Sequence, residues 1–429
     1  MAKASIVFGQ PSGTDNRQRA WLMGDILFLT HRVPWPPNRG DKIRAHHILR
    51  KLMQYAPVHL ACFADDEKET IEDSVVKTGL ASVEIVRRTK SNMQAGIEAI
   101  ISGKPVSLTS FDSDKIRKYV TDTIKTYNID CIFVFSGQMA QYIPANFSGR
   151  VIMDFADVDS AKFESYADEG AGPMAWVNRR EGKMLGAFER QVAERADYSL
   201  FVSQAEAQLF RQRSGLDDQK VKAVGNGIDL DFYDPNKAIA TELESGGPLI
   251  IFTGQMDYRP NIEAVISFSK EVMPDILKQH PDAKFAIVGR APTADVARLD
   301  GQYGTIVIGS VDDIRCWLKA ADIVVAPLRI ARGIQNKVLE AMAMGKAVVA
   351  SSAAAQGIEA VDGHHFQVAA SPAEEAKRVC ELLSDPQNAK TLGDNAAALI
   401  RETYSWDHRL ADIACLCGLD EPERLEAAE

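Results

Sequence analysis

The residues best suited to chemistry lie together in Arg332-Gly333-Ile334-Gln335-Asn336-Lys337-Val338-Leu339-Glu340, a stretch that continues to Ser351. An apolar run, Ile323 to Leu328, precedes it; Gly345 and a second apolar run, Ala347 to Ala350, follow. The pattern predicts strand, loop, helix and strand, with the helix opening at Gly333 and burying Val338, Leu339, Met342 and Ala343. Open α/β sheets bind ligands beyond the carboxyl ends of their strands. A helix N-terminus placed there offers free N–H groups and a positive dipole end to a phosphate. Lys337 adds a mobile cation. Glu340 sits one turn on, where an ordinary intrahelical ion pair with Lys337 is the competing reading. A phosphate site with a carboxylate beside it suits a sugar nucleotide.

Other candidates sit at the ends of apolar runs. Gly254-Gln255-Met256-Asp257-Tyr258-Arg259-Pro260-Asn261 follows Leu249 to Thr253. Pro260 suits a helix start, and Arg259 is placed to meet a phosphate. Gly289-Arg290-Ala291-Pro292 and Gly309-Ser310-Val311-Asp312-Asp313 end the next two runs at the same expected edge. In the first half, the loop from His31 through Arg39, Gly40 and Asp41 to Arg44 leads into a helix. Between 31 and 51 stand Arg32, Arg39, Lys42, Arg44, Arg50 and Lys51 against the single acid Asp41. Such a face suits an anionic group or acidic lipid head groups. It is not a Walker A loop, which needs Gly-Lys-Ser/Thr. Asp154, Asp157 and Asp159 crowd the end of another apolar run, where an acid can bind or deprotonate a sugar hydroxyl, or ligate a hard cation. Capping of the next helix by Asp159 or Ser160 is the plainer alternative. The histidines carry little information, and no Ser/His/Asp or Cys/His nucleophile pattern is legible.

These residues need a scaffold, and the chain is long enough to build one. Its 429 residues predict about two domains. Apolar content is 46% and charged content 25%, as in ordinary globular proteins. A net charge of −10 argues against broad nucleic-acid binding, while leaving room for a local basic pocket. The six scattered cysteines predict buried thiols in a reducing compartment rather than a disulfide framework or a zinc site. Residues 1–24 are polar, with no secretory h-region. Nowhere do about 18 apolar residues run together, so no spanning helix is expected. Short apolar runs alternate with helical patterns, such as Ala45, Ile48, Leu49 and Leu52, and then restart at Leu249. That alternation implies parallel βαβ units. The expected organisation is an extension at 1–24, a first α/β domain at 25–235, a second at 236–403 and a helical tail at 404–429 that packs back on the first domain. The polar stretch 226–247 serves as the linker.

The second half resembles the nucleotide-sugar domain of family 4-type glycosyltransferases of the GT-B fold. The likeness runs over about 25–415. It is carried by the Pro/Gly loop at 34–41, Val202 to Ala207, Asn226-Gly227-Ile228-Asp229 and Lys337 to Ser351. Met256 to Asn261, Gly333 to Lys337 and Tyr404-Ser405-Trp406-Asp407 look most like the sugar transferases linked to exopolysaccharide and PEP-CTERM/exosortase systems.

The resemblance implies an α/β protein of two doubly wound Rossmann-like domains facing a cleft, working as a cytoplasmic transferase at the inner membrane face. It implies transfer of a glycosyl group from a nucleoside-diphosphate sugar to a lipid-linked or glycan hydroxyl, with retained configuration and no bound metal or other cofactor. Donor contacts then fall on Gly254, Arg259, Gly289, Arg290, Val311, Gly333, Ile334, Asn336, Lys337 and Glu340. Asp157, Asp159 and Arg332 are the candidate catalytic groups, and Arg39, Gly40, Asp41 and Arg44 form the acceptor-side loop. The family's Glu-x7-Glu pattern places its second Glu, the ribose-binding one, at Glu340, and its first on Arg332. Its Arg and Lys after the first donor-domain strand fall on Gln255 and Pro260. Those departures keep open a noncatalytic sugar-nucleotide or glycan binder, and a GT-B epimerase or hydrolase.

Overall fold

The computed structural model describes residues 24–37, 39–65, 79–238, 246–331 and 334–419. The expected extension at 1–24 therefore lies outside the described residues except for Gly24, as do Arg332 and Gly333.

The central apolar runs become buried strands, as a parallel sheet covered on both faces demands, while edge runs such as Leu80–Arg87 and Thr305–Gly309 are largely half-buried. Seven strands form the first sheet: β1 (Asp25–Thr30), β2 (Val58–Ala64), β3 (Leu80–Arg87), β4 (Ile129–Phe135), β5 (Arg150–Ala156), β6 (Tyr198–Phe201) and β7 (Val221–Ala223). Their spatial order is β3-β2-β1-β4-β5-β6-β7. Six form the second: β8 (Leu249–Thr253), β9 (Lys284–Val288), β10 (Thr305–Gly309), β11 (Ile323–Ala326), β12 (Ala347–Ser351) and β13 (Gln367–Ala369), ordered β10-β9-β8-β11-β12-β13. Every pairing is parallel. Strand order reverses between β1 and β4, and again between β8 and β11. These are the switch points at which doubly wound sheets open a ligand crevice at the carboxyl edge.

Two compact units result. One comprises residues 1–226 with 410–429, the other residues 227–409. The division falls before the 235/236 boundary drawn from the sequence, because the intervening segment is tied to the second unit. Ile228 N–H donates to the Tyr404 carbonyl, and Lys319 Nζ donates to the Ala238 carbonyl at 2.6 Å. The tail divides too. Trp406–Arg409 stays with the second unit, while the helix Ile413–Cys417 joins the first, where Arg150 Nη1 donates to the Leu416 carbonyl at 3.1 Å.

All six cysteines are free, and Cys62, Cys131, Cys380 and Cys417 are buried. Among the described residues no helix is long and apolar enough to cross a membrane.

Candidate functional site

The switch point of the second sheet gathers the residues of the opening motif. The helix there spans Asn336–Ala343 and buries Val338, Leu339, Ala341, Met342 and Ala343. It starts three residues later than the sequence pattern placed it. Gln335 holds the extended N-cap position and makes no capping hydrogen bond. Gly345, at φ +67, lets the chain leave the helix.

Lys337 reaches from this helix to the loop after β8. Its Nζ donates to Asn261 Oδ1 at 2.6 Å and lies 4.2 Å from the centre of the Phe252 ring. Asn261, buried in the first turn of the helix Arg259–Ser267, in turn donates Nδ2 to the Gln255 carbonyl at 2.9 Å. The ammonium is thus held by a neutral amide and an aromatic face. Burial lowers its pKa to about 8, and the Glu340 charge offsets this only in part. Glu340 does not pair with Lys337 as the plain helix reading expects. Its carboxylate accepts a hydrogen bond from the Tyr233 hydroxyl. Burial raises the Glu340 carboxyl, against the pull of Tyr233 and Lys337.

Backbone crowding explains the glycines at this edge. A Cβ on Gly289 would stand 1.6 Å from the Gly254 carbonyl oxygen, and one on Gly254 would lie 2.8 Å from Asn261 Nδ2 and 3.0 Å from Lys337 Nζ. The loops are laced together by Met256 N–H to the Arg290 carbonyl and Gly289 N–H to the Gly309 carbonyl. Gly254, Gly289, Arg290, Asn336, Lys337 and Glu340 therefore meet at one sheet edge. Arg290 is exposed and bonds Gln255 Oε1 at 3.1 Å. Val311 and Ile334 are half-buried against the core of this unit. Arg259 starts its helix with its side chain 86% exposed, paired with Glu263 at 2.8 Å.

The first unit separates its candidates. Arg39 and Gly40 open the helix Gly40–Leu52. Asp41 accepts from Arg39 Nε at 2.9 Å and from Arg32, and bonds His31 Nε2 at 3.2 Å. Burial pushes Asp41 up, but the His31 and Arg32 contacts outweigh it and hold the carboxyl far below its usual range. Arg32 also pairs with Asp65 at 2.7 Å, so this loop is a compensated network rather than a row of open cations.

Arg44 is a correction. It is fully buried, with Nε and Nη2 each 2.9 Å from Asp154 Oδ2 and Nη1 2.9 Å from Asn226 Oδ1. It braces the fold and is not offered to a ligand. The capping reading of the acidic run is corrected as well: the helix Asp159–Glu169 has Val158 at its N-cap, and neither Asp159 nor Ser160 caps it. Ser160 bonds Glu189 instead, with Oγ to Oε2 at 2.6 Å. Asp157 is exposed. Burial raises Asp159, Lys162 opposes the shift, and Asp157 and Glu206 add to it.

Tyr233, Asn261 and Phe252 were not singled out from the sequence. Asn261 carried a faint signal, a polar residue directly after a helix-starting Pro. Tyr233 carried none, since its partner lies a hundred residues along the chain.

Among the described residues no cluster of three or more His, Cys, Asp or Glu side chains could hold a metal ion.

A family model described as "Glycosyl transferases group 1" matches residues 247–385, which contain β8 through the helix after β13. The lipopolysaccharide core biosynthesis mannosyltransferase LpcC of Rhizobium leguminosarum bv. viciae is 27% identical over 209 residues, 45% of this chain and 58% of that protein. A phosphatidyl-myo-inositol mannosyltransferase of Propionibacterium freudenreichii is 27% identical over 224 residues, 50% of this chain and 54% of that protein. The chain thus spans a little over half the length of these curated relatives. Among solved structures, sucrose-phosphate synthase from Thermosynechococcus elongatus matches with TM-score 0.63 at 17% identity, covering 91% of this chain and 98% of that one. The Anabaena protein Alr3699/HepE in complex with UDP matches with TM-score 0.62 at 16% identity, covering 92% and 99%. Likeness at that identity speaks to fold alone. Residues 247–385 therefore match the glycosyl transferases group 1 family, in a chain whose fold of two parallel α/β units is that of these solved structures.

Proposed function

We propose that this chain moves a glycosyl group, with retention, from a nucleoside-diphosphate sugar to a hydroxyl of a lipid-linked glycan in exopolysaccharide or other surface-polysaccharide synthesis, on the cytoplasmic side of a membrane. The observation that carries the donor half is Lys337. Its ammonium is held by Asn261 and Phe252 at a switch point lined by close-packed glycines, inside the region that matches the transferase family. A leaving diphosphate gathers negative charge in the transition state, and a fixed cation there lowers the barrier. Lys337 supplies that cation, with Arg290 and Arg259 as outer charges; Arg332, outside the described residues, is a further candidate. Glu340, oriented by Tyr233, takes the ribose hydroxyls. Asp157 or Asp159 receives the acceptor hydroxyl, and Arg39, Gly40 and Asp41 form the acceptor-side loop. The reading needs no bound metal or cofactor. The solved HepE structure with UDP and the mannosyltransferase relatives support the donor class and a glycolipid-type acceptor.

Incubation of the full chain with nucleoside-diphosphate sugars, with and without a lipid-linked glycan, tests this reading. Nucleoside diphosphate released only when acceptor is present supports the transferase. Donor bound tightly with no turnover on any acceptor replaces it with a noncatalytic binder, and release without acceptor indicates a hydrolase.

A further inference from the structure

An apolar surface on the first unit is built against the usual rule. In the helix Asn92–Ser102 the small residues Ala95 and Ala99 are buried, while Met93, Ile97, Ile100 and Ile101 are 77, 55, 69 and 82% exposed. Their spacing, i, i+4, i+7 and i+8, puts all four on one helical face. The helix Gly172–Arg195 adds Trp176, 62% exposed. Arg180, one turn beyond Trp176 and on its face, donates Nη2 to the Ala99 carbonyl at 2.9 Å and the Lys104 carbonyl at 3.3 Å. That bond docks the two helices where Ile100 and Ile101 emerge. Monomeric proteins rarely leave so many large aliphatic side chains together in water.

The rim is basic, on a chain whose net charge is −10. Lys104, Arg179 and Lys183 are exposed around the patch. Its acids are largely occupied. Glu98 pairs with Lys90 at 2.6 Å, and Glu181 is buried, accepting from the Val106 and Ser107 N–H groups at 2.8 Å. Asp168 stands 3.9 Å from Arg179. Beyond Lys104 and Lys183 the surface falls into a groove of about 580 Å³ floored by Leu108, Ile143, Met184 and Phe188.

We propose that this face, Met93, Ile97, Ile100 and Ile101 with Trp176, rests on the surface of an anionic lipid bilayer. Aliphatic side chains on one face, a tryptophan and long basic side chains at the rim are the composition of a helix lying in a membrane interface. At eleven residues, roughly 16 Å, the helix lies on the bilayer rather than spanning it. The charge pattern selects anionic lipid over a neutral surface. The basic run at 31–51 is the weaker contact, since Arg44 is buried on Asp154 and Arg32 and Arg39 are paired with Asp65 and Asp41. This inference stands apart from the donor site and survives its failure.

Sedimentation of the full chain with vesicles tests the proposal, comparing pure phosphatidylcholine with phosphatidylcholine containing about one-third phosphatidylglycerol. Binding is expected to be at least tenfold stronger on the anionic vesicles and to weaken with added salt. Ile100→Asp with Ile101→Asp should cut it at least tenfold, and Lys104→Gln with Arg179→Gln and Lys183→Gln should erase the preference for anionic lipid. All five positions are exposed, so far-UV circular dichroism and the thermal midpoint should not move. No binding to either vesicle overturns the proposal. So does binding lost in Arg50→Gln with Lys51→Gln but kept in the isoleucine variant. A concentration-dependent dimer abolished by Ile100→Asp and Ile101→Asp also overturns it, and makes the patch a contact between copies of this chain.

Discussion

Among the described residues, Lys337 meets an amide and an aromatic ring rather than an ion-pair partner. Asn261 and Phe252 hold it, and Glu340, the nearest acid on its helix, is turned to Tyr233. Its pKa of about 8 sets the sign of two pH effects. Below pH 8 the ammonium is charged and can bind a diphosphate; above it the charge is lost, so calorimetric affinity for a nucleoside diphosphate should fall as pH rises through about 8. Lys337→Arg should flatten that fall, since guanidinium keeps its proton. The folded pKa lies below the ordinary 10.5, so the cost of burying the charged form is complete below pH 8. Stability of the unliganded chain should therefore gain a contribution between about pH 8 and 10.5, opposite in sign to the binding effect. Tyr233→Phe removes one hydrogen bond to a carboxylate, worth about 1 to 3 kcal/mol. It should raise the donor KM several-fold and move kcat less; an unchanged KM contradicts the role given to Glu340. Lys337 and Glu340 were legible because type and spacing sit in one short stretch. Their partners were not, because Asn261 and Tyr233 arrive from other segments and only the folded sheet edge brings them in.

At the scale of elements, strands were the most legible feature. A run such as Val58–Ala64, buried at every residue, has only one home in a covered parallel sheet. Helix starts were less legible: Gly333 invites a helix, yet the helix waits for Asn336. The helix Gly40–Leu52 shows what pattern reading overlooked. Arg44 stands four residues before Ile48, on the same stripe as the buried Ile48 and Leu52. A charge on that stripe requires a buried partner, and Asp154, inside the apolar run of β5, is it. The pair ties this helix to β5. Arg44→Leu leaves Asp154 buried and unpaired, and should cost about 3–5 kcal/mol, read as a lowered midpoint in chemical denaturation. An unchanged midpoint would show that the carboxyl relaxes by taking a proton, the direction in which burial already pushes it.

The whole molecule was legible in outline, as two α/β units with a restart near Leu249, because the alternation of short apolar runs with helices is a property of the entire chain. The exact division was not. Residues 227–238 read as a polar linker, and only their bonds to Tyr404 and Lys319 show that they belong to the second unit. That segment delivers Tyr233 to Glu340, so the division matters to the site. The central claim, that the second unit holds a nucleoside-diphosphate sugar through Lys337 and Glu340, is tested most directly by calorimetric titration of the donor into the native chain, Lys337→Ala and Glu340→Ala at pH 7. The account predicts at least a tenfold loss of affinity in each variant, about 1.4 kcal/mol, with far-UV circular dichroism unchanged. Native affinity in both variants would contradict it.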